Sequence, residues 1–251
     1  MLLMLIAFAA AFGLLIGSFL NVVAYRLPNG TSVVTGRSEC PNCHHQIRAY
    51  DNVPVFSWLV LRGHCRDCRA PISARYPLVE GVTAVLWALV AAVADSTVDA
   101  VLGIVLVTAL VPITLIDLDH RRIPNAITLP TAVVALIAGT AIDPGGELGR
   151  VTAALGAAIF LLIPAMVRPD GMGMGDVKLA GVMGLCLGPA VAVGLLVALV
   201  SGTLFGVLMA ARSGVQKARK TQIPFGPYLA FGAVVAIAVG QPIVDSYLNR
   251  F

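Results

Sequence analysis

Seven uninterrupted apolar runs, each long enough to cross a bilayer, leave this chain few folds other than a bundle of membrane helices. They fall at about 1–23, 77–94, 98–117, 126–142, 151–167, 190–211 and 225–247. A helix needs roughly 20 residues to span a hydrocarbon core of about 30 Å. A shorter apolar run at 177–188 brings the expected number of helices to eight. The runs are continuous rather than alternating, which excludes barrel strands, and no other form satisfies its backbone in lipid. Only 12% of the 251 residues are charged, against roughly 25% in a soluble domain, so lipid is the expected solvent. The apolar start at Met1 has neither a charged leading segment nor a small-residue cleavage site, and it reads as a retained first span. A net charge of +4, dispersed among the spans, gives no footing for a nucleic-acid partner.

Charge predicts the orientation. With the N-terminus outside and eight spans following, fifteen of the seventeen basic residues fall in inner loops, and only Arg150 and Arg250 fall outside. Excess Lys and Arg marks the cytoplasmic side. The long loop at 27–76 and the chain around Asp117 and Asp176 are therefore expected to face the cytoplasm. The basic stretch at 212–223, with Lys217, Arg219 and Lys220, reads as an anchor of the same kind.

Asp117 closes the third run and Asp176 opens the short one. A carboxylate beside hydrocarbon is costly and points to function. Two such groups in contact could share a proton and activate water. Architecture offers competing roles. Asp176 could cap the helix that it precedes, whereas Asp117 sits where the dipole of its own helix disfavours an anion. Asp119, two residues on, points about 200° away on a helix and cannot face the same partner. The twelve steps from Asp176 to Gly188 make about 18 Å of helix, less than the core thickness. Either Asp176 starts inside the membrane boundary or this helix lies in the interface. In the first case Gly171, Gly173 and Gly175 form irregular backbone beside a wet cavity. An extended substrate backbone could then approach Gly173 and Gly175, where side chains are absent. Lys178 could act on the carboxylate or snorkel to the interface.

Cys40-Pro41-Asn42-Cys43 and Cys65-Arg66-Asp67-Cys68 are two CxxC pairs with 21 residues between the inner cysteines. Each pair can grip one side of a tetrahedral metal, and the spacing reads as structural zinc. Disulfides or a redox dithiol are the alternative, disfavoured by a cytoplasmic loop. The loop is too short to bury much core, which gives the staple a reason. His44, His45 and His64 read as polar loop residues, and Cys186, alone in a span, as a packing group. Glu80, at the start of the second span, could orient an ammonium or sulfonium group, or serve as a helix-start charge.

The sequence Gly173-Met174-Gly175-Asp176 matches the GxGD signature of intramembrane aspartyl proteases, and Asp117 with Ile123-Pro124-Asn125 resembles the first-aspartate motif of the bacterial type IV prepilin peptidase family. Gly17-Ser18-Phe19-Leu20-Asn21, Ser73-Ala74-Arg75-Tyr76-Pro77-Leu78-Val79-Glu80 and Pro224-Phe225-Gly226-Pro227-Tyr228 resemble the same family, in the same order. The resemblance implies an inner-membrane endopeptidase with Asp117 and Asp176 as its catalytic pair. Its substrates would be prepilins or type II secretion pseudopilins, cut after a glycine beside the substrate's apolar N-terminal helix. It also associates the region 1–76 with methylation of the new N-terminus from S-adenosylmethionine, for which Glu80 is the candidate contact. The remainder, 77–251, is then the helical bundle, with a peptidase core at about 98–251. Two readings from other classes compete: an ion or proton-coupled transporter using the carboxylates as relays, and a zinc-stapled scaffold without catalysis.

Overall fold

Association of helices in lipid has no hydrophobic drive and depends on close backbone approach. The first compact unit, residues 1–92, shows how the sequence provides for it. Gly13 and Gly17 of α1 (Leu2–Arg26) are spaced as GxxxG and face the later helix α3 (Arg75–Val93). A Cβ at Gly13 would lie 2.8 Å from the Ala84 Cα, and one at Gly17 2.8 Å from the Glu80 Cα. Asn21, buried one turn further on, donates to the carbonyls of Tyr76 at 3.2 Å and Gly17 at 3.3 Å, so its amide is not left unpaired between the helices. The computed structural model describes residues 1–167, 172–214 and 224–249. Arg168, Gly171, Lys217, Arg219, Lys220 and Arg250 lie outside them.

The chain between α1 and α3 holds a short 3-10 turn, Ala49–Asp51, and the one-turn helix α2, Phe56–Val60. Polar side chains fasten it. Arg26 donates to the carbonyls of Ser32 at 3.1 Å and Thr35 at 2.8 Å. The Trp58 indole donates to the Ile72 carbonyl at 3.0 Å. Arg66 grips both oxygens of Asp51, Nε to Oδ2 at 2.8 Å and Nη2 to Oδ1 at 2.6 Å, and this guanidinium holds the Asp51 carboxyl below its ordinary range.

The second unit, residues 93–251, is a bundle of α4 (Thr97–His120), α5 (Asn125–Ile142), α6 (Glu147–Val167), α7 (Met174–Leu187), α8 (Val191–Ser213) and α9 (Gly226–Leu248). Its axis is α4: 61% of its apolar window is buried, against 17% for α5 and for α6. Leu102, Leu106, Leu110 and Ile113 recur at helical spacing along its inner face and are fully buried. Seven stretches are long and apolar enough to cross a membrane, but the sixth, Met174–Arg212, is 39 residues long. It breaks at the 3-10 turn Gly188–Ala190, where Gly188 takes φ +54°, into α7 and α8. Among the described residues this gives the eight apolar helices that the sequence predicts. The 14 residues of α7 make about 21 Å of helix, well short of the core thickness.

Between α5 and α6 a buried arginine organises the connection. Arg150 donates to Asp143 Oδ2 at 2.8 Å, to Glu147 Oε2 at 2.9 Å and to the Gly139 carbonyl at 3.1 Å. Arg150 is one of the two basic residues that the charge pattern left on the outer side, and here it is neutralised by two carboxylates.

Candidate active site

The dipole of its own helix makes Asp117 the harder carboxylate to accommodate, and the structure shows what stabilises it. It lies in the last turn of α4, 5% exposed, while Asp119 two residues on faces outward. Its Oδ2 accepts the backbone N–H of Gly226 at 2.9 Å. Gly226 is the first residue of α9, so the carboxylate meets the positive end of a second helix in place of the negative end of its own. Glycine allows this approach, because a Cβ there would lie 2.7 Å from Asp117 Oδ2 and would displace the carboxylate.

Asp176 is the third residue of α7 and is buried at 8% exposure. Gly173 caps that helix. Its N–H donates to Asp176 Oδ2 at 3.1 Å, and its carbonyl accepts the Asp176 N–H at 3.1 Å. Asp176 therefore closes the N-terminus of α7 as well as facing the site. Gly175 lets the turn before α5 come close: a Cβ there would lie 2.8 Å from the Ile123 Cβ. Beside Gly173 the added atom would meet Asp176 Oδ2 at 3.3 Å. Lys178 is held by another side chain, its Nζ donating to Asn125 Oδ1 at 3.0 Å, which ties α7 to the start of α5.

α4 and α7 pack together, and the two carboxylates come within electrostatic reach of one another. Each has its Oδ2 held by a backbone amide. Two carboxylates brought to contact distance can hold one proton between them and act on a single water. Sequence reasoning singled out both aspartates but assigned nothing to the Gly226 amide or to Asn125. Their motifs were visible, but a backbone donor 109 residues away has no signature of its own. Phe225 and Tyr228, at the start of α9, form an aromatic group with Phe205, ring centroids 5.8–6.3 Å apart.

In the first unit the thiol sulfurs of Cys40, Cys43, Cys65 and Cys68 all lie within 4.8 Å of one another, and all five cysteines of the chain are free thiols. Cys40 Sγ and Cys68 Sγ are 3.7 Å apart. A tetrahedral zinc at about 2.3 Å from each sulfur demands sulfur–sulfur edges of about 3.8 Å, so the four thiolates fit a metal ion and fill its coordination sphere. The same turn builds both halves. His45 and Ala70 return their carbonyls to the N–H of Cys40 and Cys65 at 3.0 and 2.8 Å. The intervening His44 and Arg69 are left-handed, at φ +58° and +60°. Amides turned toward sulfur favour thiolates: the Cys43 N–H lowers the Cys40 thiol, and the Ala70 N–H takes Cys68 down to about 6. The His45 amide acts the same way on Cys43, but burial and the neighbouring Cys68 push that thiol up to about 12. None of the histidines joins the cluster.

Glu80 is buried and already engaged. Its Oε2 accepts the Val55 N–H at 2.7 Å, with the Ser18 side chain within polar reach.

Residues 11–94 match the bacterial peptidase A24 N-terminal domain, and residues 104–210 match the type IV leader peptidase family. The chain is similar to the prepilin leader peptidase/N-methyltransferase of Aeromonas hydrophila, at 36% identity over 96% of this chain and 92% of the relative. The proteins of the same name from Pseudomonas aeruginosa and Pseudomonas putida are 34% and 36% identical, covering 94% and 97% of this chain and 91% and 94% of their own lengths. No solved structure matches the chain.

Proposed function

Since the chain belongs to the type IV leader peptidase family, we propose that it is a membrane endopeptidase that removes the leader of prepilins or pseudopilins with Asp117 and Asp176 as its catalytic pair. The observation that supports this reading is that the two carboxylates lie within electrostatic reach of one another, each with a backbone amide on its Oδ2. One carboxylate, ionised, takes a proton from water as the hydroxyl adds to the scissile carbonyl carbon. The other, protonated, gives its proton to the carbonyl oxygen. The proton gained by the first is then delivered to the departing amine as the C–N bond breaks, while one hydroxyl of the gem-diol returns its proton to the second carboxylate as the new carboxyl forms. Gly173 is the position where an extended substrate backbone can come closest. Gly175 acts indirectly, by letting Ile123 seat α7. The family match and the relatives lend no support to the ion-relay reading.

The distribution of basic residues supports an inner-membrane topology with the N-terminus outside and both the dyad and the cysteine loop on the cytoplasmic side. Zinc is the metal that suits four thiolates best. Held by Cys40, Cys43, Cys65 and Cys68, it would staple the loop and leave no open position for chemistry. The names of the relatives support a second activity, N-methylation of the new terminus with S-adenosylmethionine as donor. Glu80, whose carboxylate is committed to the Val55 N–H, would serve that activity by positioning the loop, not by touching the donor.

Asp117→Asn and Asp176→Asn, made separately, should each lower leader cleavage by roughly three orders of magnitude or more, with expression and membrane insertion unchanged. Mass spectrometry of a co-expressed prepilin reads cleavage and methylation together. Full cleavage by either purified variant would overturn the assignment.

A further inference from the structure

The loop between α1 and α3 does not stand clear of the membrane helices that carry it. Exposed tyrosines mark the corresponding ends of both helices: Tyr25, next to last in α1, and Tyr76, second in α3. Tyrosine favours the boundary between headgroups and hydrocarbon. Glu80 lies four residues beyond Tyr76, about 6 Å further along the helix axis, and Ser18 lies seven residues before Tyr25, about 10 Å. Ser18 lies within polar reach of Glu80, and Glu80 holds the Val55 N–H at 2.7 Å. Helical side chains lean toward their own N-terminus, which here is the loop end. Even so, this carboxylate sits no further out than the tyrosines, and it draws Val55 down to their level.

The backbone at Val55 is bent to reach it. Val55 takes φ +60° and ψ −49°, and the Phe56 N–H returns to the Pro54 carbonyl. This is a γ-turn of the rare, strained hand, on a β-branched residue that ordinarily avoids positive φ. The helix that follows, α2, turns Ser57 inward, where its hydroxyl bonds to the Tyr50 carbonyl and accepts the Val53 N–H. It turns Phe56, Leu59 and Val60 outward, at 65%, 60% and 59% exposure, with Val53 beside them at 46%. The outward residues are spaced i, i+3, i+4, so they form one face, and that face carries no charge.

We infer that α2 is a foot set in the membrane interface, its Phe56, Leu59 and Val60 face lying among the upper acyl chains of the lipid. The occupant is lipid because the Glu80–Val55 bond fixes this face at the depth of the tyrosine belt, the level at which α3 itself exposes Leu78 and Val82. In that position the strained turn and the outward apolar face have one common explanation: the loop is folded back onto the bilayer beside its own helices. This inference does not rest on the proposed peptidase activity.

The test uses the full chain in vesicles of phosphatidylglycerol and phosphatidylcholine whose acyl chains carry bromine close to the headgroup. Phe56→Trp and Leu59→Trp are prepared separately, and the emission added over that of the unsubstituted protein reports the new indole. Brominated lipid should dim the added emission by roughly twofold or more, as for a side chain 5–10 Å into the boundary, and aqueous iodide should leave it nearly unchanged. Two positions on one face guard against a single variant that fails to fold. Quenching by iodide without quenching by bromine would place the face in water and overturn the inference. Shielding that arises only after a prepilin is added would make the face a protein-docking surface, and would overturn it equally.

Discussion

In the first unit four thiols converge because each CxxC pair is set by its own turn, with hydrogen bonds spanning only a few residues and one left-handed residue in each. In the second unit, two carboxylates 59 positions apart in sequence converge because α4, α7 and α9 pack in one arrangement. The donor that holds Asp117 comes from 109 residues away. A site made of local turns can form as soon as its metal arrives, since binding energy and folding energy are then the same quantity. A site carried on packed helices gains rigidity from the bundle but inherits every error in it, and a misplacement of about 1 Å can remove roughly a hundredfold in rate. Chemistry that depends on oxygen positions is therefore better placed on the helices, and the staple on the loop.

Four experiments sharpen or break that contrast. The largest effect is expected from Gly226→Ala, which sets a methyl group 2.7 Å from Asp117 Oδ2. Leader cleavage should fall by about a hundredfold, with metal content unchanged; a variant at full rate would show that the α9 amide does not position the carboxylate. Next is Cys65→Ser. Bound zinc measured by mass spectrometry should be lost, and proteolysis within the loop should quicken roughly tenfold. Cleavage by the dyad should change less than about threefold, and its collapse would tie together two sites described here as separately built.

A smaller effect is expected at Lys178→Met, which removes the bond to Asn125. That contact is exposed, so its loss should cost about 1 kcal/mol, seen as a several-fold fall in cleavage that Lys178→Arg partly restores. The smallest concerns Asp51→Asn and pH. Arg66 holds the Asp51 carboxyl below its ordinary value, so the folded loop binds that proton less readily than the unfolded one. Its stabilisation is present above the unfolded value of about 3.9 and is lost as pH falls through the lower folded value. Arg66 is partly solvated, so the difference in loop proteolysis between the two proteins should be less than about fivefold at neutral pH. It should persist to pH 5 and vanish well below pH 4; a difference that grew on acidification would contradict the pairing.

Much of this was legible in the residues. Apolar runs gave eight helices, including the short α7, because membrane helices must satisfy their backbone internally and so announce their length. The cysteine spacing gave the cluster, because each half is a local turn. The angular separation of Asp117 and Asp119 on one helix anticipated that only one of them would be buried. Other features left weaker traces. Arg150 stood out as an exception to the charge pattern, but its pairing with Asp143 and Glu147 depended on how α5 and α6 are joined. Glu80 was noticed as an acidic residue in an apolar setting, and nothing in the sequence tied it to the backbone of Val55. Gly175 suggested an open backbone, and the fold filled that opening with Ile123.

By itself the sequence determined that this protein is a bundle of apolar membrane helices, how many such helices there are, where four thiols gather and which two aspartates are out of place in lipid. Those properties follow from composition, periodicity and short spacings, which are local. Tertiary structure alone decided which amide supports which carboxylate, that Asp117 is compensated by the start of α9, and how the loop folds back on its own helices. Such contacts depend on positions far apart along the chain and on backbone groups common to every residue, so only the packed arrangement of helices can specify them.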